Sequence, residues 1–488
     1  VTLLATASPD AIALIDAASG ETVSYGDLKA RVDAARAAWL HGLELDAPNG
    51  WLLTASLAFL LMRNDVASIV ALLSLRAAGF AVVLVDGSLD AGIRDGLIET
   101  YRPMFIATSD AESMADAHTI AAPDTLFRSA IVDQRSLPAV HESFAFGLAT
   151  SGSTGSPKLV RLTEHAVEAN AHSIAEALGI DAPDRAITCL PLHYAYGLSL
   201  LTSHLAAGAS VVVTDKSFMD GAFWNAVKQH RVSALAGVPY MYEMLERLGV
   251  ARAVPPSVRV MTQAGGRLRD ESVERMHAFM QARGGRFHVM YGQTEATARI
   301  AVMPHDWLPA RMGSAGRAIP GGAIEIHDPA DEAGHGPTLG PGEDGEVWYR
   351  GPNVMLGYAT TRDELALGDE LGGLLRTGDI GRLDSEGCLT ITGRVKRIGK
   401  LFGVRVDLDA IERQLSTESP TAVIEGENQL VIFTVVAADA DDTVLAALVH
   451  QLATQLRVQQ RAIVVKPVEA LPRTSSGKVD YPALRRTL

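Results

Sequence analysis

Two cysteines, Cys189 and Cys388, are all that 488 residues contain, and they stand far apart with no metal-ligand spacing. That scarcity excludes a disulfide framework and a cysteine zinc site, and it favours a reducing, cytoplasmic setting. Long apolar runs are missing too. The longest early one, Leu52 to Met62, ends at Arg63 and is about half of the roughly 20 residues a membrane span needs. No basic stretch followed by an apolar one opens the sequence, so no secretion signal is read there. Cations are outnumbered: 43 Lys and Arg face 57 Asp and Glu, a net charge of −14. That balance argues against nonspecific binding of nucleic acid or anionic membrane, and an anionic ligand has to be met by local cationic pockets. Neither an internal repeat nor a low-complexity tract is seen.

What is there is a chain too long for one ordinary core, with 48% hydrophobic residues to bury, so two or more domains are expected. A helical pattern follows Tyr25-Gly26-Asp27-Leu28 to about Leu40, and Trp51 to Leu61 reads as a buried strand or short helix. Asn64 or Asp65 can cap a helix with Val66, Ile69, Val70 and Leu73 facing inward. It stops at Gly79 and is followed by a strand at Ala81–Val85. Short apolar strands recur at Met104–Ala107, Val211–Val213 and Val258–Met261, near helical patterns at Glu164–Ala177 and Asp270–Met280. Such alternation predicts a largely parallel sheet covered by helices, with ligands beyond the carboxyl ends of its strands. From about Glu325 the texture turns to strands and glycine-rich turns, first Ala323–His327 and then Gly345–Gly351. After Gly393-Arg394-Val395-Lys396 comes enough chain for a small α+β domain, with strands near Leu430–Val435 and Ala462–Lys466 around a helix at about 442–456.

The stretch richest in chemistry is Thr150-Ser151-Gly152-Ser153-Thr154-Gly155-Ser156-Pro157-Lys158. Glycines let backbone approach an anion, inward amides and hydroxyls donate to it, and a lysine adds charge, so the loop suits a polyphosphate. It is not a Walker A loop, because Ser156-Pro157 separates glycine from lysine. By itself it is equally a flexible polar linker. Further stretches follow in order: Tyr291-Gly292-Gln293-Thr294-Glu295-Ala296, Tyr349-Arg350-Gly351 through Gly357-Tyr358, Arg376-Thr377-Gly378-Asp379, Gly393-Arg394 with Lys400 and Gly403, and Leu471-Pro472-Arg473-Thr474-Ser475-Ser476-Gly477-Lys478.

Taken together over nearly the whole chain, these stretches closely resemble the adenylate-forming superfamily of acyl-CoA synthetases, aryl-acid ligases, adenylation domains and luciferases. The resemblance implies an α/β fold: a large N-terminal domain over 1–395, with layered αβ subdomains and a β-rich subdomain at about 320–395. A hinge at Lys396 would join it to a small mobile α+β domain over 396–488. The implied chemistry is ATP-dependent activation of a carboxylic acid to an acyl-adenylate with loss of pyrophosphate. Transfer to the pantetheine thiol of CoA or of a carrier protein follows. By the resemblance, Thr150 to Gly155 wrap the β- and γ-phosphates with Lys158, Thr294 touches the α-phosphate, and Glu295 holds Mg²⁺. Tyr291, flanked by Gly292 and Gln293, stacks on adenine against the strip Ala264-Gly265-Gly266, while Asp379 and Arg394 take the ribose. Lys478 matches the mobile catalytic lysine, and Lys400 and Gly403 match the segment used for thioester formation. Two departures stand out: Leu159 follows the lysine where the family usually has glycine, and Ala264 replaces the first glycine of the adenine strip.

For the acid, Leu190 to Leu198 resembles the acyl- and aryl-CoA ligase version of this region. His193, Tyr196 and Gly197 are expected to line the acyl channel, with Gly237 and Gly265 as further walls. Amino-acid-activating members commonly carry an acid here to neutralise the substrate ammonium, and none occurs between Leu190 and Leu205. An acyl or aryl acid is therefore favoured over an amino acid. A packed core histidine remains the plain alternative for His193, a solvated lysine for Lys478 and an ordinary turn for Gly378-Asp379.

Overall fold

The computed structural model describes residues 7–46, 56–110, 112, 118–120, 124, 126–128, 139–150, 158–329, 336–395, 398–401, 404–416, 419–426, 429–435, 445–446, 449–453, 459–474 and 477–488. Its described residues fall into two compact units, one of residues before 151, 158–323 and 349–375, the other of 324–348 and 376–488.

The first unit is built on two large sheets. One has eight strands in the spatial order Gly357–Ala359, Lys158–Leu162, Phe146–Thr150, Ala81–Asp86, Leu57–Met62, Phe105–Thr108, Leu126–Arg128, His118–Ile120. Its centre is parallel and its margins antiparallel. Every residue of Leu57–Met62 is buried, as expected of a parallel strand covered on both faces. The helix Val66–Ala77 that follows is capped by Asp65, whose carboxylate accepts from Ser68 N at 2.6 Å. The ambiguous 51–61 segment thus resolves, where described, into strand.

Nine strands make the second sheet: Arg317–Ala318, Ala301–Val302, Arg286–Tyr291, Val260–Gln263, Ala234–Gly237, Arg185–Ile187, Ser210–Val213, Ile12–Asp16 and Thr22–Ser24. The expected strand at Val258–Met261 begins two residues late, because Val258 N donates to Pro255 O at 3.2 Å and closes a turn there. Helices Glu164–Leu178, Ala195–Ala206 and Asp270–Gln281 accompany it. Three neighbouring parallel strands, ending at Gly237, Gln263 and Tyr291, are aligned by Gly237↔Gln263 and Gln263↔Val289, so they finish along one edge.

The second unit carries most of a four-stranded sheet, ordered Ala323–His327, Gly345–Arg350, Leu374–Leu383, Leu389–Arg394. Beyond it lie the hairpin Ile398–Leu401 with Val404–Asp407, the helix Leu408–Leu415, and a three-stranded sheet of Thr421–Gly426, Gln429–Val435 and Ile463–Val468. That sheet alternates: Val423, Leu430 and Ile432 pack with Leu408 and Ile411, while Ala422, Ile424 and Phe433 pack with Leu471 and Leu484. The helix expected at about 442–456 lies largely outside the described residues. Lys396 and Gly403 lie outside them as well, as does the Lys400 side chain.

Candidate active site

Beyond the carboxyl ends of the three aligned strands come Ala264-Gly265-Gly266 and the loop from Gly292 to Arg299. Gly265 has φ +85°, a left-handed backbone that glycine adopts without strain, and the Gln263 amide donates to Gly266 O at 2.7 Å. Gly292 is obligatory for a different reason: a Cβ there would fall 1.8 Å from Ala298 O. Thr294–Ala296 forms a single 3₁₀ turn, after which Thr297 and Ala298 both hold positive φ, 58° and 123°. Such backbone persists only where surroundings over-determine it, and here they do. Asn353, 1% exposed, donates to Ala296 O at 2.7 Å and Arg299 O at 3.0 Å. Thr297 Oγ1 donates to Asn353 O at 2.6 Å, and Met355 N to Glu295 O at 2.9 Å.

Tyr358 then reaches Glu295. Its hydroxyl donates to Glu295 Oε1 at 2.6 Å, and burial together with the adjacent carboxylate pushes the phenol well above its usual pKa, so it stays a donor. Lys158 lies with its ammonium 5.6 Å from the centre of the Tyr358 ring, a cation–π distance. The short strand Gly357–Ala359 that carries Tyr358 pairs antiparallel with Lys158–Leu162. Arg161, fully buried, bonds Tyr358 O at 3.3 Å and pairs with Glu370. Glu295, Tyr358 and Lys158 are therefore one linked array. Among the described residues Glu295 Oε2 has no protein partner, which leaves a carboxylate oxygen available to a hard cation.

The expected acyl-channel residues also cluster in this unit. Tyr196, 4% exposed, shares hydrogen bonds with Thr262 O at 3.1 Å and Thr262 Oγ1 at 2.9 Å. Gly197 is forced by crowding, since a Cβ there would meet Pro191 O at 2.1 Å, and a Cβ on Gly237 would meet the Tyr242 ring at 2.8 Å. Asn64 holds the approach segment by donating to Leu190 O at 3.1 Å and accepting from Leu192 N at 3.0 Å. His193 Nε2 stands 3.6 Å from Asp86 Oδ2. Burial lowers the His193 pKa while Asp86 raises it, the former dominating, so the ring is neutral near pH 7. An acid from the end of another strand thus stands beside His193, while the 190–205 segment itself carries none.

In the second unit, Asp379 and Arg394 stand opposite each other on paired strands, Arg394 Nε donating to Asp379 Oδ1 at 2.8 Å. Asp379 is 3% exposed and follows Gly378 at φ 71°, and Thr377 Oγ1 fixes the bend by donating to Val347 O at 2.7 Å. Lys478 is exposed at a turn in which Thr474 N donates to Lys478 O at 2.8 Å, Gly477 N to Thr474 O at 2.8 Å, and Arg473 to Gly477 O at 2.9 Å. Ser151 to Gly155 of the polyphosphate loop, and the Thr150 side chain, lie outside the described residues.

Three residues of this geometry, Asn353, Asp86 and Arg299, carried no role in the sequence reading, and Asn64 carried only that of a possible helix cap. Tyr358 was visible within a motif but without its task. The one signal that could have flagged them is their place beside motif residues; their partners are far away in the chain.

A two-sheet α/β body with a glycine-lined edge, an acid-bearing loop and a separate strand pair offering carboxylate and guanidinium defines a nucleotide-dependent enzyme fold. The family model described as AMP-binding enzyme matches residues 3–359, and the chain belongs to that family. It is 32% identical over 349 residues to an indoleacetate–CoA ligase of Aromatoleum aromaticum, covering 69% of this chain and 66% of that protein. To 4-coumarate–CoA ligase 2 of Oryza sativa subsp. japonica it is 30% identical, covering 70% of this chain and 61% of that one. The match therefore spans somewhat less than two thirds of these relatives' own length. In fold it is similar to the O-succinylbenzoate coenzyme A synthetase MenE of Bacillus subtilis solved with ATP and magnesium, with TM-score 0.74, 23% identity and 98% of each chain covered. MatB from Rhodopseudomonas palustris, solved with ATP, is comparably similar at TM-score 0.75 and 22% identity, covering 98% of this chain and 96% of that one.

Proposed function

We propose that this protein activates an acyl or aryl carboxylic acid with ATP, releasing pyrophosphate, and passes the acyl group to the thiol of CoA. The observation that carries the proposal is Glu295: clamped through its loop by Asn353, oriented by Tyr358, linked to Lys158, and left with one carboxylate oxygen for a metal. A carboxylate attacking an anionic phosphorus needs charge offset before bonds change, and fixed donors supply it without reorganisation. In this reading Lys158 and the 150–155 loop take the outer phosphates and Thr294 the α-phosphate. Bound Mg²⁺, held by Glu295, would neutralise phosphate charge. Tyr291 and the Ala264–Gly266 strip take adenine, and Asp379 with Arg394 takes the ribose. His193, Tyr196, Gly197 and Gly237 line the acid's channel, while Lys478 acts on the reacting carboxylate. Lys396 serves as hinge, with Lys400 and Gly403 assigned to thioester formation.

CoA is preferred to a carrier-protein pantetheine as acceptor because two of the relatives just described are CoA ligases. Acid-dependent exchange of labelled pyrophosphate into ATP, followed by mass detection of an acyl-CoA, tests the reading. ATP binding with no exchange across fatty, aryl and amino acids would reject it in favour of a non-catalytic nucleotide-binding protein. Exchange with amino acids alone would instead favour a stand-alone adenylation enzyme that loads a carrier protein.

A further inference from the structure

One buried cation has no counter-charge. Arg299 is 3% exposed, and among the described residues it forms no ion pair with a carboxylate. Its contacts are Ser199 Oγ at 3.1 Å, Ala298 O at 3.4 Å and the face of the Tyr196 ring at 4.4 Å, and its Nε–H has no partner. Arginine stays charged in proteins, and a buried, uncompensated charge is costly unless something pairs with it.

Arg299 lines a cavity of about 30 Å³, walled also by Tyr196, Ser199, His204, Thr262 and Met290. A second wall residue, His204, also carries an atom without a partner among the described residues. His204 Nδ1 bonds the carbonyl oxygen of Leu200 at 2.8 Å and so carries the proton, leaving Nε2 a buried acceptor with no partner. Burial lowers the His204 pKa, in keeping with a neutral ring. The one acid on the wall, Asp184, is already engaged by Arg259 at 2.9 Å and by Ser233 Oγ at 2.9 Å. A space of this size holds one or two waters, whose places the two oxygens of a carboxylate would take.

The cavity's position gives it a use. Its wall residues Ala236 and Met290 directly precede Gly237 and Tyr291, the proposed channel wall and stacking ring, and Thr262 stands two residues before Ala264 of the proposed adenine strip. The cavity wall therefore lies one or two residues below the strand ends at which, in the reading above, the acid is activated.

We propose that the acid accepted here carries a second carboxylate, which binds Arg299 while the first is activated. This rests on the acid-activating reading above. A site built around a buried hydrogen-bonding charge rejects analogues that leave it unpaired far more strongly than an apolar pocket rejects an extra methylene.

The test measures pyrophosphate release and acyl-CoA formation with aliphatic and aryl diacids, each beside the monoacid in which a methyl group replaces the distal carboxylate. Wild type should prefer a diacid by about 10²-fold or more in kcat/KM. Arg299→Met should collapse that preference to within a few-fold, mainly through the KM of the diacid, and Arg299→Lys should restore part of it. Thermal stabilisation of the wild-type protein by diacid but not monoacid, with ATP and Mg²⁺ present, provides a readout that stands even if the Met variant fails to fold. Equal use of the paired acids, a preference untouched by Arg299→Met, or stabilisation by the monoacid alone overturns the inference. In each of those cases acid activation itself survives. Pyrophosphate release with none of the acids overturns the activation reading and this one with it.

Discussion

The Gly292–Arg299 loop and the Thr474–Lys478 turn each carry a proposed active-site group, and they are held in opposite ways. The first is fixed from outside its own segment: Asn353, Met355 and Asn170 bond its carbonyls, and Tyr358 takes its acid. Its two positive-φ residues are affordable only inside that grip. The second shows bonds within its own turn, Thr474 N to Lys478 O and Arg473 to Gly477 O, with Lys478 exposed. A group that positions metal and phosphate throughout the reaction gains from rigidity, whereas a group assigned to one half-reaction gains from a light tether.

The sharpest way to break this comparison is Lys478→Ala. Adenylation should fall by about 10²–10³-fold while conversion of preformed acyl-adenylate to acyl-CoA is kept, with no loss of thermal stability. Equal loss in both half-reactions, or a lowered Tm, would place Lys478 in the structural class instead.

Next in size is Asn353→Ala. It strips two hydrogen bonds from a buried, strained loop and should cost about 2–3 kcal/mol of unfolding free energy in urea, with activity lost in parallel. A stable Asn353→Ala protein would mean that the loop holds itself.

The first unit also predicts a pH response. Burial holds His288 at about 4 rather than the ordinary 6.5, with its Nε2 unpartnered among the described residues. The unfolded chain therefore binds more protons between those values, so stability rises with pH there. The contribution, of order 2–3 kcal/mol, is complete above the unfolded pKa near 6.5 and is lost as pH falls toward 4. His288→Gln should flatten the urea midpoint over pH 4–7; an unchanged slope would assign acid lability elsewhere.

Smallest is Tyr358→Phe, which removes one donor from Glu295. Activity at saturating Mg²⁺ should hold within a few-fold, while the Mg²⁺ concentration for half-maximal rate rises by about 3–10-fold. A shift in ATP affinity at fixed saturating Mg²⁺, without a shift in metal demand, would detach Tyr358 from the metal role.

Local elements were largely legible. Ala323–His327 was read with the bounds it has, Asp65 caps its helix, and Glu164–Ala177 falls one residue short of the helix end. Each depends on neighbours in sequence: apolar period, a capping carboxylate, a glycine stop. Val258–Arg259 was misread as strand because β-favouring side chains obscured the turn set by the preceding prolines. Asp86 beside His193 was invisible, since no spacing rule joins the end of one strand to the approach segment of a distant helix.

Composition and ordered motifs fixed the family, the alternation of strands and helices, and which residue types could meet a nucleotide, because those are properties of short segments. Only tertiary packing decided that Glu295 is oriented by Tyr358, that Asp379 and Arg394 face each other, and that Arg299 lies buried over Tyr196 without a counter-ion among the described residues. Those relations are electrostatic contacts across folded distance, and a linear pattern carries no record of them.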